Sequence, residues 1–135
     1  MRILFTNNTL DKPAGTEQSV YDYARILKAR GHEVAAYSLQ QGEVARRLQA
    51  AGVEVFESPL DAPWQPDLIH GHHPWETGLA ALAYPEVPVL SFCRGTAPWQ
   101  EAPCLAPLVQ RWVAVAAACR KALTETLGGA RRRAA

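Results

Sequence analysis

Six short apolar segments, each nearly continuous in its hydrophobicity, alternate along this chain with stretches whose apolar residues recur every three or four positions. The apolar segments are RILFT (2–6), EVAAYSL (33–39), VEVFES (53–58), DLIHGHH (67–73), VPVLSFC (87–93) and RWVAVAAA (111–118). Their length and their β-branched and aromatic content predict strands. The first intervening stretch, Glu17 to Arg30, places Val20, Tyr23, Ala24 and Leu27 on one face and predicts an amphipathic helix. Thr16 is the expected N-cap, Glu17 suits the positive end of the helix dipole, and Gly31 is the expected stop. A weaker helix is expected over 41–51 with Gly52 as its stop, and further helices over 75–83 and 119–127. NNTLDKPAGT, PLDAPWQP and RGTAPWQEAP carry the Asn, Pro and Gly content of loops. Strands that are apolar on both faces and alternate with helices imply a parallel sheet covered on both sides. The expected fold is therefore an open, doubly wound α/β domain of about six strands.

Composition narrows the function classes. At 135 residues a single domain is expected, burying about two-thirds of the surface of its unfolded chain. With 48% hydrophobic and 20% charged residues, the chain is neither disordered nor collagen-like. No apolar run approaches the ~18 residues of a membrane span. The start, MRILFTNN, has no long apolar stretch, which predicts no secretory signal. A net charge of +1 argues against a dedicated nucleic-acid binder. The charge is uneven: residues 104–135 carry six basic side chains against one acid, and the basic tail 128–135 holds three of them. That tail reads as a solvated end, with a weak anionic-membrane contact as its alternative role. Cys93, Cys104 and Cys119 are odd in number and form no CxxC, which favours reduced thiols and a cytoplasmic, at most membrane-peripheral, location.

In such sheets ligands bind beyond the carboxyl ends of the strands, so the strand tips are the candidate site. The first tip, Ala14-Gly15-Thr16-Glu17, places a Gly just before a helix, where backbone N–H groups can approach an anionic or hydroxyl-rich ligand; the same Gly also suits a sharp turn. Neither GxGxxG nor a P-loop is present. The second tip is His70-Gly71-His72-His73. Strand alternation puts His70 and His72 on one side and His73 on the other. His70, deeper in the strand, reads as a satisfied structural residue, and His72 as a group that binds a hydroxyl or acts as a base. Zinc would need a third ligand that the spacing does not offer, and no metal is expected. The third tip is Arg94-Gly95-Thr96, where Arg suits a phosphate or carboxylate, or else is a solvated loop residue. Trp64, Trp75 and Trp99 fall in or beside loops at this end or linking to it, as cleft aromatics or core caps. Cys93 has no base at a characteristic spacing and reads as packing. No catalytic residue is assigned.

These segments together resemble the N-terminal domain of the large retaining glycosyltransferase family of GT-B architecture. The resemblance is carried by RILFT, AGTE before the first helix, YARILKARGHEV, PDLIHGHH, VPVLSFCRGT and RWVAVAAACRKAL, in the family's order over residues 1–127. It implies a Rossmann-like acceptor-side domain facing a second domain that binds a nucleotide-sugar donor without a metal or other cofactor. Carried over by position, Gly15, Thr16 and Glu17 would lie near the donor phosphates and the acceptor, His72 would line the acceptor side, and Arg94, Gly95 and Thr96 would line the cleft. Two residues depart from the family pattern. Arg94 stands where many members have a His, marking a change in cleft chemistry or a subfamily with an anionic ligand. Ala116 stands where Ser is usual.

The resemblance implies the acceptor-side part of an enzyme that moves a sugar from a nucleotide-sugar to a hydroxyl acceptor: a sugar, glycan or lipid-linked molecule. The donor-binding domain, absent from this sequence, would act in cis or in trans, and these residues alone would be inactive. Two other readings stand beside it. One is a stand-alone, non-catalytic module binding a glycan or a partner; the other is a small nucleotide-binding hydrolase, disfavoured by the missing phosphate loop and nucleophile elbow.

Overall fold

A computed structural model describes residues 1–97 and 101–128; Trp99 and the basic tail from 129 onward lie outside the described residues. Six parallel strands form the main sheet: β1 (Arg2–Thr6), β3 (Glu33–Tyr37), β5 (Glu54–Phe56), β6 (Leu68–His72), β7 (Val89–Cys93) and β8 (Val109–Ala114). Their spatial order is β5-β3-β1-β6-β7-β8, so the winding reverses between β1 and β6. A two-residue parallel ladder, β2 (Thr9–Leu10) with β4 (Gln40–Gln41), ties the loops after β1 and β3 together. It lies where a loop and the start of the second helix are expected, because pairs this short leave no alternation to read. The helices are α1 (Gly15–Ala29), α2 (Glu43–Ala50), α3 (Pro74–Ala83) and α4 (Ala117–Thr126), with a 3-10 turn at Pro59–Asp61. None of the described helices is long and apolar enough to cross a membrane.

The strands' double-sided hydrophobicity has its expected cause. Ile3, Phe5, Val34, Ala36 and Val53 pack with Val20 and Ala24 of α1 and Val44 and Leu48 of α2 on one face. Leu4, Ala35, Tyr37, Ile69 and Val89 pack with Ala80 and Ala81 of α3 on the other. Leu4 and Phe5, consecutive in β1, are both fully buried and serve opposite layers. Each such side chain contributes about 1.5–3 kcal/mol relative to its exposed state.

Several boundaries differ from expectation, and two of them have a local cause. Thr16 is not the N-cap of α1. The helix begins at Gly15, Ala14 occupies the cap without a side-chain hydrogen bond, and Gln18 N–H donates to the Ala14 carbonyl at 2.8 Å. At the other end, Gly31 adopts φ 87° and the His32 N–H reaches back to the Leu27 carbonyl, the left-handed stop its position predicts. β8 ends at Ala114 rather than 118, because the alanines from 117 onward enter α4, as the best helix formers do where no packing demands a strand.

Candidate functional site

At the reversal point, connections from β1 and β6 leave on opposite sides of the sheet and open a crevice at the strands' carboxyl ends. A polar knot closes its floor. Thr6 Oγ1 lies 3.0 Å from Thr77 Oγ1 of α3 and within 3.3 Å of the backbone N and O of His72, and Thr77 Oγ1 donates to the His73 carbonyl at 2.6 Å. Gly71 is needed here, since a Cβ at that position would run into the Thr77 side chain. His73, at φ 63°, turns the chain sharply from β6 into α3.

Above the α1-side face the rings form a pile. Strand pairing sets Phe5 beside His70 and His72 beside Phe92. His70 stacks on Phe92 with centroids 4.3 Å apart and on His72 at 4.9 Å, with Phe5 at 4.4 Å and Tyr23 of α1 at 5.8 Å. The shared orientation of His70 and His72 is the one strand alternation predicts. Their burial is the reverse of expectation: His72, nearer the tip, is completely buried, and His70 is slightly less so. Neither ring nitrogen of His72, nor Nδ1 of His70, has a hydrogen-bond partner among the described residues. Burial, reinforced by the Arg94 charge, lowers His70 to about 4. Burial first, then the charges of His70, Arg94 and His73, lowers His72 to about 2. Both imidazoles are neutral at physiological pH, and this environment does not make His72 a base working near neutrality.

Arg94 continues the same alternation two residues past Phe92, and that places it on the α1 side. Its Nη2 donates to Ser19 Oγ at 2.6 Å, while Ser19 Oγ donates to the Gly15 carbonyl at 2.8 Å. Its backbone N–H donates to Glu101 Oε2 at 3.1 Å. Nη1 is buried and has no hydrogen-bond partner among the described residues. A guanidinium is thus anchored beside the first turn of α1, a turn whose N–H groups have no capping side chain. A fixed cation beside uncapped helix N–H groups suits a phosphate or carboxylate oxygen. Asn7, fully buried at the end of β1, adds an Oδ1 with no partner among the described residues, while its amide donates to the Thr9 carbonyl.

Gly15, Thr16, Arg94 and Gly95 therefore converge on one crevice from two strand tips. Gly15 is exposed and Thr16 half-buried at the start of α1, Glu17 is buried in its first turn, and Thr96 is exposed on the β7 loop. His72 supports this region from below as part of the ring pile. Cys93 is buried and burial pushes its thiol up to about 11, in keeping with packing rather than nucleophilic use. Trp64 packs against the α3-side core, and Trp75 stands exposed in the first turn of α3. Ser19, Asn7, Thr77 and Glu101 were not singled out in the sequence. For Ser19 a signal exists, since it lies one helical turn after Gly15.

No protein-family model matches the sequence, and no curated protein matches it. Among solved structures the chain is similar to Anabaena Alr3699/HepE in complex with UDP-glucose, with a TM-score of 0.77 and 16% identity over 99% of this chain and 43% of that one. The same protein in complex with UDP and glucose gives a TM-score of 0.75 and 15% identity, over 99% and 44%. This is the fold of one half of a GT-B glycosyltransferase. The chain spans less than half the length of these structures. Identity this low carries the fold and not the residues, so the assignment of roles within this GT-B half rests on the crevice itself.

Proposed function

We propose that this domain is the acceptor-side half of a glycosyltransferase that moves a sugar from a nucleotide-sugar donor to a hydroxyl acceptor, with the donor-binding half supplied in cis or in trans. The observation that carries the reading is the Arg94 guanidinium, its Nη2 anchored on Ser19 beside the uncapped start of α1 at the reversal point of the sheet, with Nη1 unpartnered among the described residues. A guanidinium anchored beside uncapped helix N–H groups suits a phosphate or carboxylate oxygen. The likeness to a structure holding UDP-glucose supports a nucleotide-sugar as the donor.

On this reading Arg94 binds and orients an anionic group of donor or acceptor. The Gly15–Glu17 turn contributes backbone N–H groups, and Gly95 and Thr96 line the approach. The neutral His70 and His72 act as a rigid, uncharged platform that keeps Arg94 the dominant charge. Most of the transition-state electrostatics would come from the donor-binding half, so these 135 residues alone have no transferase turnover.

The test is sugar transfer from a panel of nucleotide-sugars beginning with UDP-glucose. It is measured for the 135 residues alone and for the protein isolated from its own cells with whatever domain accompanies it. The expected result is no turnover from the former, transfer by the latter, and at least tenfold less when Arg94 is replaced by Ala. Robust transfer by the 135 residues alone would contradict the division of labour, and Arg94→Ala without effect would contradict the site.

A further inference from the structure

The connection that leaves β7 folds back on its own first residues. Glu101, half-buried and seven positions beyond Arg94, turns its carboxylate onto the strand tip, where Oε2 accepts the Arg94 backbone N–H at 3.1 Å. The Glu101 backbone N–H donates to the Ala97 carbonyl at 2.8 Å. The Cys93 thiol adds a second tie, donating to the Gly95 carbonyl at 3.3 Å and lying 3.9 Å from the Glu101 carbonyl oxygen. Gly95 makes room for the closure, since a Cβ there would lie 3.0 Å from Glu101 Cγ and 3.3 Å from its Oε1.

The carboxylate thus engages the main chain of Arg94 and not its side chain. No ion pair joins the Arg94 guanidinium to an acid among the described residues, and Nη2 is held by the uncharged Ser19 hydroxyl. A carboxylate on the guanidinium would neutralise the cation and occupy the donors an anion needs. On the backbone N–H it fixes where the side chain starts and leaves those donors alone. Arg94 is therefore held at two points, its main chain by Glu101 and its Nη2 by Ser19, so that less conformational freedom is lost when an anion binds. We infer that Glu101 is a positioning residue, which aims the Arg94 guanidinium into the crevice by holding the Arg94 N–H. The inference deepens the proposed role of Arg94 in binding an anionic group and rests on it.

The experiment titrates the full chain with inorganic pyrophosphate and compares Glu101→Ala, Glu101→Gln, Gly95→Ala and Arg94→Ala. Glu101→Ala is expected to weaken binding about fivefold or more, the scale of one lost hydrogen bond. Glu101→Gln, whose amide oxygen can still accept the N–H, is expected to bind at least as tightly as the wild type. Gly95→Ala, which pushes the carboxylate aside without removing it, should weaken binding in the same direction as Glu101→Ala. In an Arg94→Ala background, Glu101→Ala should have no further effect. That background keeps the backbone N–H and its tie to Glu101, so a residue that only folded the turn would still weaken binding when removed. A Glu101→Ala effect that persists there overturns the inference, as does Glu101→Gln as weak as Glu101→Ala. Tighter binding by both Glu101 variants also overturns it, since the carboxylate would then act as a repelling charge. Unchanged affinity in Glu101→Ala, with Arg94→Ala weakened, removes the role of Glu101 and leaves that of Arg94 standing. Unchanged affinity in Arg94→Ala removes both.

Discussion

Arg94 and Ser19, 75 positions apart, are joined by a 2.6 Å hydrogen bond that fixes the guanidinium at the tip of β7 against the first turn of α1. Because Ser19 Oγ gives its own proton to the Gly15 carbonyl, it is free to accept from Arg94, and the link has a single polarity. Nη1 of the same guanidinium has no hydrogen-bond partner among the described residues. Titration of the full chain with inorganic pyrophosphate, followed by backbone amide shifts, should move the Gly15–Glu17 and Arg94–Gly95 signals. Arg94→Ala is expected to weaken that binding by about tenfold or more, the scale of a lost hydrogen bond to a charged group. Ser19→Ala should have a smaller effect in the same direction. Equal affinity in wild type and Arg94→Ala would show that the anion does not bind there.

The Thr6–Thr77 contact predicts coupled stability effects. Thr77→Val keeps the shape but removes the donor to the His73 carbonyl and the partner of Thr6 Oγ1, both buried. A loss of about 1–3 kcal/mol is expected in urea unfolding. The double variant Thr6→Val, Thr77→Val should lose less than the sum of the single losses, because each single change already removes the contact that the two hydroxyls share. Strict additivity would mean that the two hydroxyls act independently.

The histidine pile sets a pH dependence. The folded chain holds His70 and His72 neutral down to about 4 and about 2, whereas an unfolded chain protonates them near 6.5. Above 6.5 neither state binds these protons and stability is unaffected. As the pH falls below 6.5 the unfolded chain gains protons that the folded one cannot, so stability is lost on the acid side. Between pH 7.5 and 5.0 the expected loss is roughly 2 kcal/mol per imidazole. His72→Phe, which keeps a ring in the pile, should remove about half of that slope in denaturant unfolding. Parallel pH profiles for the two proteins would contradict the neutral, buried state of His72.

Much of the fold was legible because period-two and period-3.6 patterns report burial directly. Leu4 and Phe5 had to serve two layers, and that alone requires a covered sheet. The same alternation predicted the shared orientation of His70 and His72. Their burial was not legible, since it depends on Phe92 and Tyr23, which reach them from another strand and from α1. Thr16 has the chemistry of an N-cap, yet the cap is Ala14 and the helix begins at Gly15, two residues before Glu17, a start that local propensity does not favour.

The cysteines should be slow to react. Cys93, Cys104 and Cys119 are free and buried, and burial raises the thiols of Cys93 and Cys104. A thiol-directed aromatic disulfide is expected to label none of them rapidly in the native chain at pH 8 and all three after unfolding. Rapid native labelling of any one would show that its part of the sheet edge opens readily.

That the domain works as one half of a two-domain glycosyltransferase is tested most directly by isolating the protein from its own cells and measuring its intact mass and its sugar transfer in the same fraction. The predicted result is a chain at least about twice 14.8 kDa, or a 14.8 kDa chain bound to a separate donor-binding subunit, with transfer from a nucleotide-sugar that Arg94→Ala removes. A solitary 14.8 kDa chain with no bound subunit and no transfer would contradict the proposal and make this a binding module that keeps the fold without the reaction.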